Sequence, residues 1–123
     1  MPFKFENLRI WKDSIELSNS IHLLISKFPM EERFILSSQI QRASDSIALN
    51  IAEGSTGQSN PEYVRFLGYA LRSGIEVLSC LYLAKGRKLI SDQDFEVYYN
   101  QTSKLIISIQ ALRKYIRENK VYP

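Results

Sequence analysis

Apolar residues recur three and four positions apart through nearly all of this 123-residue chain, and the pattern breaks near Pro29, between Gly54 and Pro61, and at Gly86. A 3.6-residue period stacks apolar side chains along one face of an α-helix. No stretch sustains the every-second-residue alternation of a half-buried strand. The chain is therefore confined to an all-α domain with helices over about residues 8–27, 31–55, 61–86 and 92–119. Connections this short force successive helices to run antiparallel, which predicts a single up-down-up-down four-helix bundle over residues 1–123.

Local signals place the ends. Asn7 is positioned to cap the first helix, whose expected inner arc is Leu8, Trp11, Ile15, Ile21, Ile25 and Phe28, and Pro29 stops it. Glu31 and Glu32 suit the positive start of the second, which would approach seven turns. Asn60 as cap, Pro61 in the first turn and Glu62 mark the third, which should end at Gly86. Phe66, Leu67, Ala70, Leu71, Gly74, Ile75, Val77, Leu78, Leu81 and Tyr82 cover about half of its circumference, so it is expected to be buried on several sides. Ser91-Asp92-Gln93-Asp94 opens the fourth, which continues through Phe95, Tyr98, Thr102, Leu105, Ile109, Leu112 and Ile116.

The second helix carries two organised stripes. Leu36, Ile40, Ala43, Ile47, Ile51 and Gly54 share one arc, and Gln39, Arg42, Ser46, Asn50 and Glu53 line its edge. Read structurally, the polar row is a register-setting network in which Arg42 pairs with Glu76 and Ser46 and Asn50 satisfy each other or nearby backbone. Read functionally, it is a pocket for a small ligand in an enzyme. The structural reading is the simpler one.

Cys80 is the one cysteine, so no intrachain disulfide forms, and the N-terminal residues have no signal-peptide layout; a reducing cytoplasm is the expected location. Apolar runs such as Leu23 to Ile25 fall far short of the roughly 20 residues of a membrane span, so no membrane partner is expected. His22, on the expected inner arc, has Asn19 three residues before it and so lacks the Glu-x-x-His motif of metal-binding bundles. Nothing near Cys80 or His22 suggests an activated thiol, and no phosphate-binding glycine loop with a following Lys is present. These residues predict a non-enzyme that needs no metal or other cofactor.

Charge is uneven. Residues 1–62 hold 6 Lys or Arg against 8 Asp or Glu, and residues 63–123 hold 10 against 5. In the bundle, Lys4, Arg9, Lys12, Arg65, Arg113, Lys114, Arg117 and Lys120 gather at the end with the termini, facing Glu6, Asp13, Glu53, Glu62 and Glu118. The opposite end balances Lys27, Arg33, Lys85, Arg87 and Lys88 against Glu31, Glu32, Asp92, Asp94 and Glu96. Arg113, Arg117 and Lys120, with Tyr115 and Tyr122 interleaved, offer cations for phosphates and rings for unpaired bases. The terminal rim is thus the candidate for RNA or DNA. Leu49, Tyr69, Leu83 and Cys80 fall on outward faces, an apolar surface that a monomer would leave open, and predict an oligomer or a protein partner through Leu49, Tyr69 and Leu83.

Four segments carry a family resemblance: FENLRIWKDSIEL from Phe5 to Leu17, the FP and acids from Phe28 to Glu32, QIQRASDSIALNIAEG from Gln39 to Gly54, and FLGYALRSGIEV from Phe66 to Val77. Together they resemble the four-helix-bundle proteins encoded in 23S rRNA intervening sequences, relatives of the accessory variability determinants of diversity-generating retroelements. The resemblance implies a ring-shaped homopentamer, no known enzymatic activity and an RNA or DNA role through basic surfaces. In the retroelement relatives the partner is a reverse transcriptase.

Overall fold

The structure, a computed structural model, describes residues 2–57 and 59–119. Among these, four α-helices hold nearly everything: α1 (Arg9–Ile25), α2 (Leu36–Gly54), α3 (Asn60–Gly86) and α4 (Asp92–Asn119), with single 3-10 turns at Lys4–Asn7 and Met30–Glu32. Each helix packs against its sequence neighbours, and α4 closes back on α1. Cross-helix pairs run in opposite directions: Gln39 meets Glu76 while Gly54 meets Phe66, and Val64 meets Arg113 while Tyr82 meets Phe95. The domain is an antiparallel bundle, as the helix period and short connections predict.

One core runs through its length. On α2 the predicted arc of Leu36, Ile40, Ala43, Ile47, Ile51 and Gly54 is buried throughout. On α3 the seam is Tyr63, Leu67, Ala70, Gly74, Val77, Leu81 and Ala84, repeating at three and four. By length and composition alone α3 is apolar enough to cross a membrane, with a window of mean hydropathy 1.2, although no short apolar run reveals it. Here its seam packs against α2 and α4. Gly54 and Gly74 permit that closeness: a Cβ at Gly54 would lie 2.7 Å from Phe66 Cβ, and one at Gly74 would lie 2.8 Å from Ile106 Cγ1. Four buried hydroxyls are satisfied locally: Ser14, Ser44 and Thr102 each donate to a carbonyl of their own helix, and Ser55, just past α2, donates to Ala52 O.

Several expectations need correcting. The inner arc of α1 is Ile10, Ser14, Leu17, Ile21 and Leu24, whereas Ile15 is exposed and Trp11 and Ile25 are only partly buried. Ser14 hides this arc in the sequence; its hydroxyl donates to Trp11 O at 2.6 Å and so tolerates burial. His22 is therefore exposed and outside the core. The position before α1 is Leu8, not Asn7. The second helix starts at Leu36 and spans 19 residues, about five turns, because Met30–Glu32 forms a separate turn and Glu32 is drawn to Arg87 at 3.2 Å beside the α3–α4 connection.

The cap of α3 is Ser59, whose hydroxyl accepts from the Glu62 N–H. Gly86 remains helical, and the left-handed residue past that helix is Lys88 (φ 60), with the Leu89 N–H reaching back to Ala84 O. Gly57 (φ 88) supplies the other left-handed turn, between α2 and α3. Ile75 and Tyr82 are mostly exposed, not inward, and Cys80 is buried, not outward.

Candidate nucleic-acid interface

Sequence-distant cations meet at one end of the bundle because antiparallel packing brings the starts of α1 and α3 beside the last turns of α4. Arg9, Lys12, Lys114 and Arg117 are exposed there, as is Arg65. Arg9 Nε lies 3.1 Å from Asp13 Oδ1, and Arg65 lies 3.9 Å from Glu62 and over the Phe66 ring. Exposed pairs of this kind contribute little to stability, about 1 kcal/mol at most, and leave their cations accessible to an anion.

Two of the expected contributors are tied into the fold. Lys4 is partly buried with its Nζ 5.3 Å from the centroid of the Tyr63 ring, and burial lowers its pKa below the usual lysine value. Arg113 is half-buried: its Nε donates to Val64 O at 2.9 Å, and its guanidinium lies across α3 where Gly68 has no side chain. Burial chiefly, and then Arg117, lowers the Arg113 pKa. Thus Arg113 is an inter-helix tie before it is a rim cation. Lys120 and Tyr122 lie outside the described residues. At the opposite end Arg87 is paired with Glu32, and Lys85 Nζ sits 4.5 Å from the Phe95 ring centroid.

The polar row of α2 mostly turns back on its own helix. Ser46 Oγ donates to Arg42 O and Asn50 Nδ2 to Ser46 O, each at 2.9 Å. Its tie to α3 runs from Gln39 Nε2 to Glu76 Oε2 at 3.5 Å; Glu76 therefore receives Gln39 where Arg42 was expected. Arg42 and Glu53 are solvent-exposed. The longer-reaching polar cluster is one that the sequence reading missed, on the other side of α2: Ser18 hydrogen-bonds Asp45, and Gln41 donates to both Asp45 (2.9 Å) and Ser18 (3.3 Å), joining α1 to α2. The i, i+4 spacing of Gln41 and Asp45 was its available signal.

Leu49, Tyr69 and Leu83 are exposed, as expected. The larger apolar exposure was not anticipated: Leu23, Met30, Phe34 and Ile35 surround the α1–α2 connection, Phe34 at 84% exposure. A groove of about 680 Å³ lies there, lined by residues including His22, Phe28, Phe34 and Gln41. Cys80 is buried, and burial first and Glu76 second push its thiol pKa up, the direction opposite to that of an activated nucleophile.

The fold and its charges define a helical-bundle protein with an accessible basic end. The family model of the 23S rRNA-intervening sequence protein matches residues 6–111, and the chain belongs to that family. Among solved structures, it is similar to a protein with unknown function from the S23 ribosomal protein family of Bacteroides thetaiotaomicron. That match has a TM-score of 0.79 and 24% identity over 85% of this chain and 95% of the other, a likeness of fold. No curated protein matches the chain.

Proposed function

We propose that this protein is a non-catalytic, oligomeric binding protein whose basic end engages the phosphate backbone of RNA or DNA with little sequence preference. The observation that carries this reading is the asymmetry of accessible charge. Arg9, Lys12, Arg65, Lys114 and Arg117 are exposed at the end where cations outnumber acids, whereas at the other end the exposed Lys27, Arg33 and Lys88 stand among as many acids as cations, with Glu31, Asp92 and Glu96 exposed beside them. Phosphate contacts made by such cations position a nucleic acid without reading its bases.

Binding of a fluorescent single-stranded oligonucleotide by the full chain tests the reading. Affinity should fall steeply from about 50 to 200 mM salt, and replacing Arg9, Lys12 and Arg117 by Glu should cut the salt slope by roughly 0.7 per cation lost. No binding at low salt, or binding untouched by the triple replacement, refutes it. All three side chains are exposed, so the fold survives the change.

We further infer a homopentameric ring, in which five copies would gather a net charge of about +15. The exposed Leu49 and Leu83 supply apolar contact surface. Light scattering should report about 72 kDa, five times 14.3 kDa, and Leu49→Asp with Leu83→Asp should reduce that mass while circular dichroism stays helical. A wild-type mass of 14.3 kDa at micromolar concentration would refute the ring.

The apolar surface of Leu23, Met30, Phe34 and Ile35 favours a second reading, a protein-partner module such as an accessory subunit of a reverse transcriptase. Capture of a protein that leaves nucleic acid unbound would favour it.

A further inference from the structure

Arg65 and Arg72 stand two helical turns apart on α3, and Arg113 reaches over from α4 between them. The three line one notch of about 280 Å³, together with Gly68 and Tyr69. Its construction is specific. A Cβ at Gly68 would lie 3.2 Å from Arg113 Nη2 and 3.5 Å from Cζ, so the bare glycine lets the guanidinium lie flat against the helix. The bond from Arg113 Nε to Val64 O fixes that group, with Nη2 over Gly68 in the lining of the notch.

The charge there is not balanced. Among the described residues neither Arg72 nor Arg113 has an ion pair; of the carboxylates on α3, Glu62 is 3.9 Å from Arg65 and Glu76 stands one turn beyond Arg72, so three guanidinium groups meet two acids. Arg117 adds to the repulsion felt by Arg113. Converging guanidinium groups on a half-buried surface repel one another unless an anion lies between them.

We propose that this notch is a phosphate-binding subsite, in which the guanidinium groups of Arg65, Arg72 and Arg113 hold the oxygens of a phosphate ester and the Tyr69 ring gives its base a stacking face. Planar N–H forks match phosphate oxygens, and tyrosine stacks bases with little sequence preference. The inference deepens the basic-end reading, shares Arg65 with it, and rests on it only where the ester belongs to a polynucleotide.

The experiment follows the arginine Nε–Hε signals of the ¹⁵N-labelled full chain while inorganic phosphate, adenosine 5′-monophosphate or a single-stranded oligonucleotide is added. Signals of Arg65, Arg72 and Arg113 should shift saturably, and Arg72→Gln should weaken binding about tenfold. Arg72 is exposed, so the variant keeps its fold. Saturation by the mononucleotide alone identifies a free phosphate ester as the ligand, and tighter saturation by the oligonucleotide identifies a polynucleotide; either result supports the site. No saturable shift with any of the three, or affinities unchanged by Arg72→Gln, overturns it. Oligonucleotide binding that depends on Arg9, Lys12 and Arg117 but leaves these signals still would sink the notch and spare the basic end. Phosphate binding at the notch without oligonucleotide binding would do the reverse.

Discussion

Tyr63→Ala is expected to cost roughly 3–5 kcal/mol of folding stability, the range for emptying a large aromatic site in a core. Tyr63 is wholly buried at the first turn of α3, its backbone N–H bonds Ser59 O, and its ring lies beside Gly54 of α2 and beneath Lys4 of the N-terminal turn. Three segments therefore lose a common support together. Urea unfolding followed by circular dichroism measures the loss, and Tyr63→Phe, which keeps the ring, should cost far less. A loss below about 1 kcal/mol for the alanine variant would mean that the ring does not organise this end. Under the proposed function, oligonucleotide affinity should weaken as well, because the basic end is assembled on the same turn.

Gly74→Leu is expected to destabilise by at least about 1–3 kcal/mol, the usual range for overpacking. Gly74 is buried in mid-α3, and the first atom of any side chain would lie 2.8 Å from Ile106 Cγ1 and 3.2 Å from its Cδ1. Ile106 is β-branched and buried, so it cannot swing aside, and α3 and α4 must separate. Alanine alone is a weaker probe, because leaving glycine gains about 1 kcal/mol of helix propensity against the clash. The decisive measurement is a cycle: Ile106→Ala removes the obstructing atoms and should make Gly74→Ala less costly by more than about 0.5 kcal/mol. Additive losses would show that the two positions do not meet.

The α2 stripe and α4 were legible because each presents one nearly continuous apolar face: all six residues of the α2 arc are buried, and the α4 line lies on the core with Tyr98 and Leu112 partly buried and Ile106 added to it. On α1, by contrast, two overlapping arcs compete. Apolarity favours the arc through Trp11 and Ile15, but burial follows the arc through Ser14, whose local hydrogen bond makes a polar residue acceptable inside. The start of α2 was misread for a different reason: the acids at Glu31 and Glu32 suit a helix N-terminus, yet Glu32 is used by Arg87, 55 positions away. The candidate site divides along the same line. The end to which each cation belongs follows from helix count alone, but the burial of Lys4 and the tie from Arg113 to Val64 depend on close approach between helices.

Sequence alone determined that this chain is a four-helix bundle with its excess of cations at one end, since period, breakers and charge are local properties that short connections convert into topology. Only the tertiary structure decided which face of α1 is sealed, that Arg113 is held across a bare Gly68, and that Arg65 and Arg72 converge with it in one notch. Those outcomes turn on distances of a few ångströms between residues far apart in the chain, which packing sets and no local pattern encodes.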